Sequence, residues 1–387
     1  MARKIAVMTG TRADFGLLRN LLTEIEAHPA LELQLIATGS HLSKTHGETI
    51  TEVEGAGFTP SALVSIWAEG SDALQAAIDT GEALAKFSNT LNELDPDVVV
   101  VLGDRLEAFA MAAAATVLSI PVAHIHGGEL TEGAMDDALR HSITKLSYLH
   151  FATTEEHAAR VARLGEDPSR IYNFGAPVLD VIAAFQPMTR AELSDRFGVK
   201  FGERNLMMTF HPAAFDVASA KEMIGELLGA MGELENTNLV ITGTNNDIGS
   251  DDVRAAIAEF VSKHGSTTTY VESFGQHGYL SIMGEMNAVT GNSSSTVLEA
   301  PLMHVPSVLI GNRQEGRPMS QSILKPEVNR ASIKVALEQA LTPEFAAKAR
   351  EVGTPFGKPG FAKKAAEVLA TAEIPNPPKK KFWQENK

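Results

Sequence analysis

Cysteine is absent from the 387 residues. That excludes disulfides and thiolate-held metals, and it permits a reducing compartment. Aromatic residues are sparse, at 6%. Basic residues are outnumbered, 33 Lys and Arg against 48 Asp and Glu, for a formal net charge of −15. Such a balance disfavours general nucleic-acid binding, and an anionic ligand would need a local basic pocket. Long apolar runs are also missing. The longest, 108–123, is interrupted by Thr116, Ser119 and Pro121, so it does not suit a membrane span. The opening residues, MARKIAVMTG, enter a strand directly with no signal-peptide pattern. The expectation is a cytoplasmic protein with neither a membrane nor a nucleic-acid partner. No G-x-G-x-x-G follows the first strand and no H-E-x-x-H occurs. Neither a dinucleotide fingerprint nor that zinc motif is therefore expected.

What is present is an alternation of short apolar runs with helical spacing. Hydrophobic residues make up 44% of the chain, enough for large cores, and the length suits two domains. Strands are expected at 5–9, 31–38, 97–102, 121–125, 149–153 and 171–174. A pause at Pro177 and Pro187 marks a boundary, and a second series follows. Its strands fall at 205–210, 239–242, 267–271, 287–290 and 307–310, with a final helix at 362–372. The rhythm predicts an α/β fold with mostly parallel sheets. The domains expected are 1–178 and 179–372, followed by an extended Pro- and Lys-rich tail, 373–387.

Chemistry concentrates at 103–148. Asp104 and Arg105 stand where the third of these strands ends. The next strand delivers HIHGGE, residues 124–129, and a loop then leads to Asp136 and Asp137, just before a helix carrying Arg140, His141 and Lys145. Carboxyl ends of parallel strands are where such sheets bind ligands. GDR alone also fits a local ion pair. HIHGGE points more firmly to a site. Two His on alternate strand positions face one side, and two Gly let the backbone approach a ligand closely. Arg12, in GTRAD after the first strand, would sit beside a helix N-terminus that favours anions, and it fits a solvated loop Arg equally well. His41 and His46 lie on a loop and read as incidental.

In the second half, GNSSST at 291–296 precedes a helix containing Val297, Leu298 and Glu299. Small residues at a helix start leave N–H groups free, and the Ser hydroxyls add donors, which suits phosphate. An N-cap would need only one such hydroxyl. Glu299 suits a ribose diol. Arg313 and Arg317 in GNRQEGR suit a diphosphate. His211 follows its own strand.

GTRAD, GDR, HIHGGE, DDALRHSITKLSYLHF, FHP, GNSSS with Glu299, and GNRQEGR occur in this order. Together they resemble the hydrolysing UDP-N-acetylglucosamine 2-epimerases of sialic-acid biosynthesis, from about residue 4 to residue 370. The resemblance implies two doubly wound Rossmann-like domains facing across a cleft, the glycosyltransferase-B architecture. It implies a UDP-sugar substrate, no metal, no cofactor, and a homodimer or homotetramer. The implied reaction eliminates UDP to a glycal and hydrates it, releasing UDP and N-acetylmannosamine. Carried over by position, Arg12, Arg313, Ser293 and Ser294 meet the diphosphate, Glu299 holds the ribose, and Phe274 lies near the uracil. Arg105 and Asn245 are further candidates for binding substrate. Asp104, Glu129, Asp136 and His211 line the sugar.

Many relatives carry Glu where this chain has His126. The proton-transfer role then falls to His126 or moves to Glu129. The change also suits another sugar, a 2,4-diacetamido-trideoxyhexose on UDP or GDP, on the route to legionaminic acid. Competing alternatives are an epimerase that retains its nucleotide, a glycosyltransferase, and a nucleotide-sugar-binding regulator without chemistry. The density of Asp, Glu and His argues against the last.

Overall fold

The computed structural model describes residues 2–43, 49–66, 73–131, 135–212, 217–244, 250–375 and 377–384. The chain divides into two units, Met1–Ala183 with Phe356–Lys387, and Ala184–Pro355. Each is a parallel sheet flanked by helices, as the alternation predicts.

The first unit has seven strands: β1 Arg3–Thr9, β2 Leu31–Thr38, β3 Ala62–Val64, β4 Val98–Leu102, β5 Val122–Ile125, β6 Leu149–Ala152 and β7 Ile171–Asn173. Their order is β3-β2-β1-β4-β5-β6-β7. The pairings are parallel. The second unit has β8 Arg204–Thr209, β9 Thr237–Thr242, β10 Thr268–Val271, β11 Ala288–Gly291, β12 Ser307–Leu309 and β13 Ile323–Leu324. Their order is β10-β9-β8-β11-β12-β13, also parallel. Helices cover both faces, so central strands read as unbroken apolar runs rather than alternating ones. Val98–Val101 are fully buried for this reason. In both units the strand order reverses beside the first strand, between β1 and β4 and between β8 and β11. That reversal opens a crevice at the carboxyl ends of the strands, where ligands bind such sheets.

The domain limits differ from expectation at the C-terminus. The helix Phe361–Thr371 belongs to the first unit. It buries Phe361, Ala365, Ala366 and Leu369 in one core with Leu18, Leu22 and Ile25 of the helix Arg12–Ala27. Truncating a buried Phe such as Phe361 typically costs about 3–5 kcal/mol. Asp180 caps its start, accepting the backbone N–H of Phe361 at 3.3 Å and of Ala362 at 2.7 Å. The helical period shows an apolar face but not which core receives it. The tail forms no helix or strand among its described residues, yet it is fastened down. Lys380 Nζ donates to the carbonyls of Lys145 and Ser147, each at 2.6 Å, and pairs with Glu166 at 2.7 Å.

Candidate functional site

At the reversal point of the first sheet, three loops converge. The first follows β1. A Cβ on Gly10 would lie 2.6 Å from Glu107 Oε1, so any side chain there would displace the Glu107 carboxylate. Thr11 caps the helix Arg12–Ala27 by accepting the Asp14 N–H. Arg12 is half-exposed and lies 3.5 Å from Glu52. Asp14 is more telling, although nothing in GTRAD alone distinguishes it from a solvated loop carboxylate. Burial, partly offset by Arg105, pushes its carboxyl above the ordinary value.

The second loop follows β4. Arg105 Nε donates to Glu107 Oε1 at 2.6 Å, and Glu107 is buried. Burial disfavours the charge on Arg105, but Glu107, Asp14 and Asp136 more than offset it. Asp136 thus acts on this cluster from the first turn of the helix Met135–Leu146. Asp104 is ion-paired to Arg140, which is buried on that same helix. Arg140 Nη1 also donates to the Glu129 carbonyl and to Thr131 Oγ1, both at 3.0 Å. One guanidinium therefore ties together the loops after β4 and β5.

The third loop follows β5. His124 is fully buried, and burial pushes it down to about 3. It is a neutral fastener: Nε2–H donates to the Gly103 carbonyl at 2.8 Å, and Nδ1 accepts from Thr144 Oγ1 at 3.1 Å. The alternation expected of His124 and His126 fails because His126 is no longer extended. Its φ is +69°, a left-handed value uncommon for a residue with a side chain. Gly128 follows at φ +81°, where a Cβ would clash with the His157 carbonyl. The bend aims the His126 ring at Glu129, with Nδ1 2.7 Å from Oε1. Nε2 is buried and has no hydrogen-bond partner among the described residues. A carboxylate holding Nδ1–H leaves Nε2 as a base, the arrangement that suits a histidine to proton transfer.

In the second unit, His211 follows β8 and Asn292 follows β11, across the other reversal point. The Asn292 amide clasps the His211 backbone, accepting its N–H at 2.8 Å and donating to its carbonyl at 2.7 Å. Gln314 and Arg313 donate to the Asn292 carbonyl at 2.9 and 3.3 Å. Arg313 is exposed and lines a cavity of about 960 Å³ with Asn292, Gly311, Asn312 and Lys325.

The helix expected after GNSSST is not continuous. Ser294–Thr296 form a 3₁₀ turn, and a four-residue helix, Glu299–Leu302, follows. Glu299 thus opens a short helix instead of lying one turn inside a long one. Ser293 accepts the Ser295 N–H, and Ser294 is half-buried. The Ser295 hydroxyl is spent internally, 2.6 Å from Tyr279 Oη, which contacts Thr209 Oγ1 at 3.1 Å. Burial pushes the Glu299 carboxyl up, with Arg317 opposing. Its Oε2 has no partner among the described residues, a polar group that a ligand hydroxyl would satisfy. Phe274 is 4% exposed, and its ring packs edge-on against Phe197 at 4.9 Å. Asn245 lies outside the described residues, as does His46. Among the described residues, no group of three His, Asp or Glu is placed to hold a metal ion, and no helix is long and apolar enough to cross a membrane.

Comparison with known proteins places these features in a family. A family model described as UDP-N-acetylglucosamine 2-epimerase matches residues 23–370. The GDP/UDP-N,N'-diacetylbacillosamine 2-epimerase (hydrolyzing) of Campylobacter jejuni is 34% identical over 343 residues, covering 89% of this chain and 88% of that protein. The UDP-N-acetylglucosamine 2-epimerase of Neisseria meningitidis is 35% identical, covering 87% of each. The UDP-N,N'-diacetylbacillosamine 2-epimerase (hydrolyzing) of Legionella pneumophila is 31% identical, covering 88% of this chain and 89% of that one. Among solved structures, a Neisseria meningitidis UDP-GlcNAc 2-epimerase bound to UDP-GlcNAc superposes with a TM-score of 0.80 at 18% identity. It covers 95% of this chain and 99% of that one.

Proposed function

Since the chain belongs to the UDP-N-acetylglucosamine 2-epimerase family, we propose that it is a hydrolysing 2-epimerase of a nucleotide-linked 2,4-diacetamido-trideoxyhexose, the N,N'-diacetylbacillosamine type. The chain is an enzyme of the UDP-sugar 2-epimerase kind; the sugar and the hydrolytic outcome are the proposal. One observation carries the choice. Two relatives whose names specify both this sugar and hydrolysis align over nearly nine-tenths of the chain. This favours the diacetamido sugar over UDP-N-acetylglucosamine, the first expectation from the motifs. The latter remains the second reading, supported by the meningococcal relative at 35% identity.

The proposed chemistry assigns one task to each group of the site. His126 Nε2 takes the proton from sugar carbon 2. The carbon 2 electron pair forms the double bond to carbon 1. The bond from carbon 1 to the nucleotide oxygen breaks, and the nucleotide diphosphate leaves with that electron pair. Water then adds its hydroxyl to carbon 1 of the glycal, and carbon 2 is reprotonated on the opposite face. Asp104, Arg105 and Asp136 are assigned to the sugar, with Glu129 holding His126. Ser293, Ser294 and Arg313 are assigned to the diphosphate, and Arg12 is a further candidate for it. Glu299 takes the ribose diol and His211 contacts the substrate. Departure of the diphosphate is an electrostatic task for such donors. The scheme uses no metal, and turnover should persist in EDTA.

The test is kcat/KM on UDP-N,N'-diacetylbacillosamine, its GDP counterpart and UDP-N-acetylglucosamine. The proposal expects free nucleotide diphosphate and the highest value with a diacetamido sugar. A clear preference for UDP-N-acetylglucosamine would establish the second reading instead.

A further inference from the structure

Behind Glu129 lies a chain of buried groups that the proposed reaction does not itself consume. Thr153 directly follows β6, and His157 lies on the helix Glu155–Arg163. Both are buried, at 1% and 2% exposure. Thr153 Oγ1 donates to Glu129 Oε1 at 3.0 Å and lies 2.7 Å from His157 Nδ1. A threonine hydroxyl has one hydrogen. With that hydrogen on Glu129, His157 Nδ1 must be the donor to Thr153. Burial favours a neutral His157, so its second nitrogen carries no proton.

We propose that His157 and Thr153 form a positioning relay that fixes Glu129, and through it the Nδ1–H tautomer of His126. Protons run in one direction: His157 Nδ1–H to Thr153, Thr153 O–H to Glu129, and His126 Nδ1–H to the same Glu129 oxygen. With Glu129 accepting from both sides, its Oε1 has little freedom to turn away. The outcome is an Nε2 lone pair on His126, presented where the strained backbone has aimed the ring. Nearby groups support this geometry from other elements. Arg160 holds the Gly128 carbonyl, and Arg140 holds the carbonyl of Glu129 itself. Neither Thr153 nor His157 is assigned contact with substrate. The inference rests on the proton-transfer role proposed for His126.

Two conservative pairs test it. Thr153→Val keeps the shape and removes the hydroxyl, whereas Thr153→Ser keeps the hydroxyl. His157→Phe removes the donor, whereas His157→Asn returns an N–H near the Nδ1 position. The expected result is a kcat loss of about tenfold to a hundredfold for Val and Phe, the scale of a small misplacement of a reacting group. KM should change little, and Ser and Asn should recover most of the loss. Nitrogen NMR of histidine-labelled, substrate-free protein supplies a second readout. In the unmodified protein both His126 and His157 should carry the proton on Nδ1. In Thr153→Val, His126 should shift towards a mixture of tautomers. A bare Nδ1 on His157, or a Val variant with unchanged kcat and unchanged tautomers, overturns the relay. The NMR result needs no substrate. A chain that turns over no nucleotide sugar but shows both Nδ1 protons would sink the proposed reaction and leave the relay standing.

Discussion

His126 Nδ1 lies 2.7 Å from Glu129 Oε1 while the His126 backbone sits at φ +69°. Holding a side-chain-bearing residue there costs roughly 1–3 kcal/mol, a strain that accumulates at functional positions. The surrounding loops sustain it through Arg140, Arg160 and the two glycines. Strain and pairing together direct Nε2 outward from its carboxylate.

Replacing His126 by Gln should therefore separate binding from chemistry. Nucleotide affinity should stay unchanged in calorimetry, while turnover falls about two to four orders of magnitude. His126→Glu, the residue of many relatives, should restore part of the loss. Near-normal turnover in the Gln variant would reduce His126 to a structural neighbour and pass the chemistry to Glu129 or Asp104.

Glu299 gives a prediction for the second unit. Its buried Oε2 lacks a partner among the described residues. If a ribose diol fills that need, Glu299→Ala should weaken UDP or GDP binding by about tenfold or more, the worth of a hydrogen bond to a charged group. Unchanged affinity would remove Glu299 from the nucleotide site.

Glu166 sets an acid limit on stability. Burial opposes its charge, but hydrogen bonds from His150, Lys145 and Lys380 outweigh burial and hold its carboxyl down at about 2, against an ordinary 4.5. A depressed carboxyl contributes stability that is complete above the unfolded value and is lost as pH falls through the folded one. Thermal stability should therefore drop between about pH 4.5 and 2. Glu166→Gln should lower stability at neutral pH and flatten that part of the curve. It should also speed hydrogen exchange at the Trp383 amide, which bonds the Gly165 carbonyl at 2.9 Å. An unchanged acid profile in the Gln variant would contradict this assignment.

The sequence was most legible where one physical signal sufficed. The run 31–38 sets Leu31, Leu33 and Leu35 in alternation with Glu32 and Gln34 between Pro29 and Gly39, and β2 is Leu31–Thr38. The short strands Ala62–Val64 and Ile323–Leu324 were missed because two or three residues carry no period. Charged loops at strand ends pointed to Asp104, His126 and Glu129. Which partners they choose depends on tertiary reach: Arg140 touches Asp104 from 36 residues away. Asp14, Glu107, Thr153 and His157 escaped notice for the same reason, since a buried polar residue looks ordinary until its neighbours are known. GNSSST stood before a stretch, Val297, Leu298 and Glu299, that reads as the start of a regular helix. Pro301, in the third position of the helix Glu299–Leu302, lacks an N–H to continue the ladder.

The most direct test of the central claim is proton NMR of the products formed from the preferred nucleotide sugar in heavy water. The account predicts free nucleotide diphosphate together with a free sugar inverted at carbon 2 and deuterated there, because His126 removes the original proton and solvent supplies its replacement. A product still joined to its nucleotide, or a free sugar retaining protium at carbon 2, would contradict it.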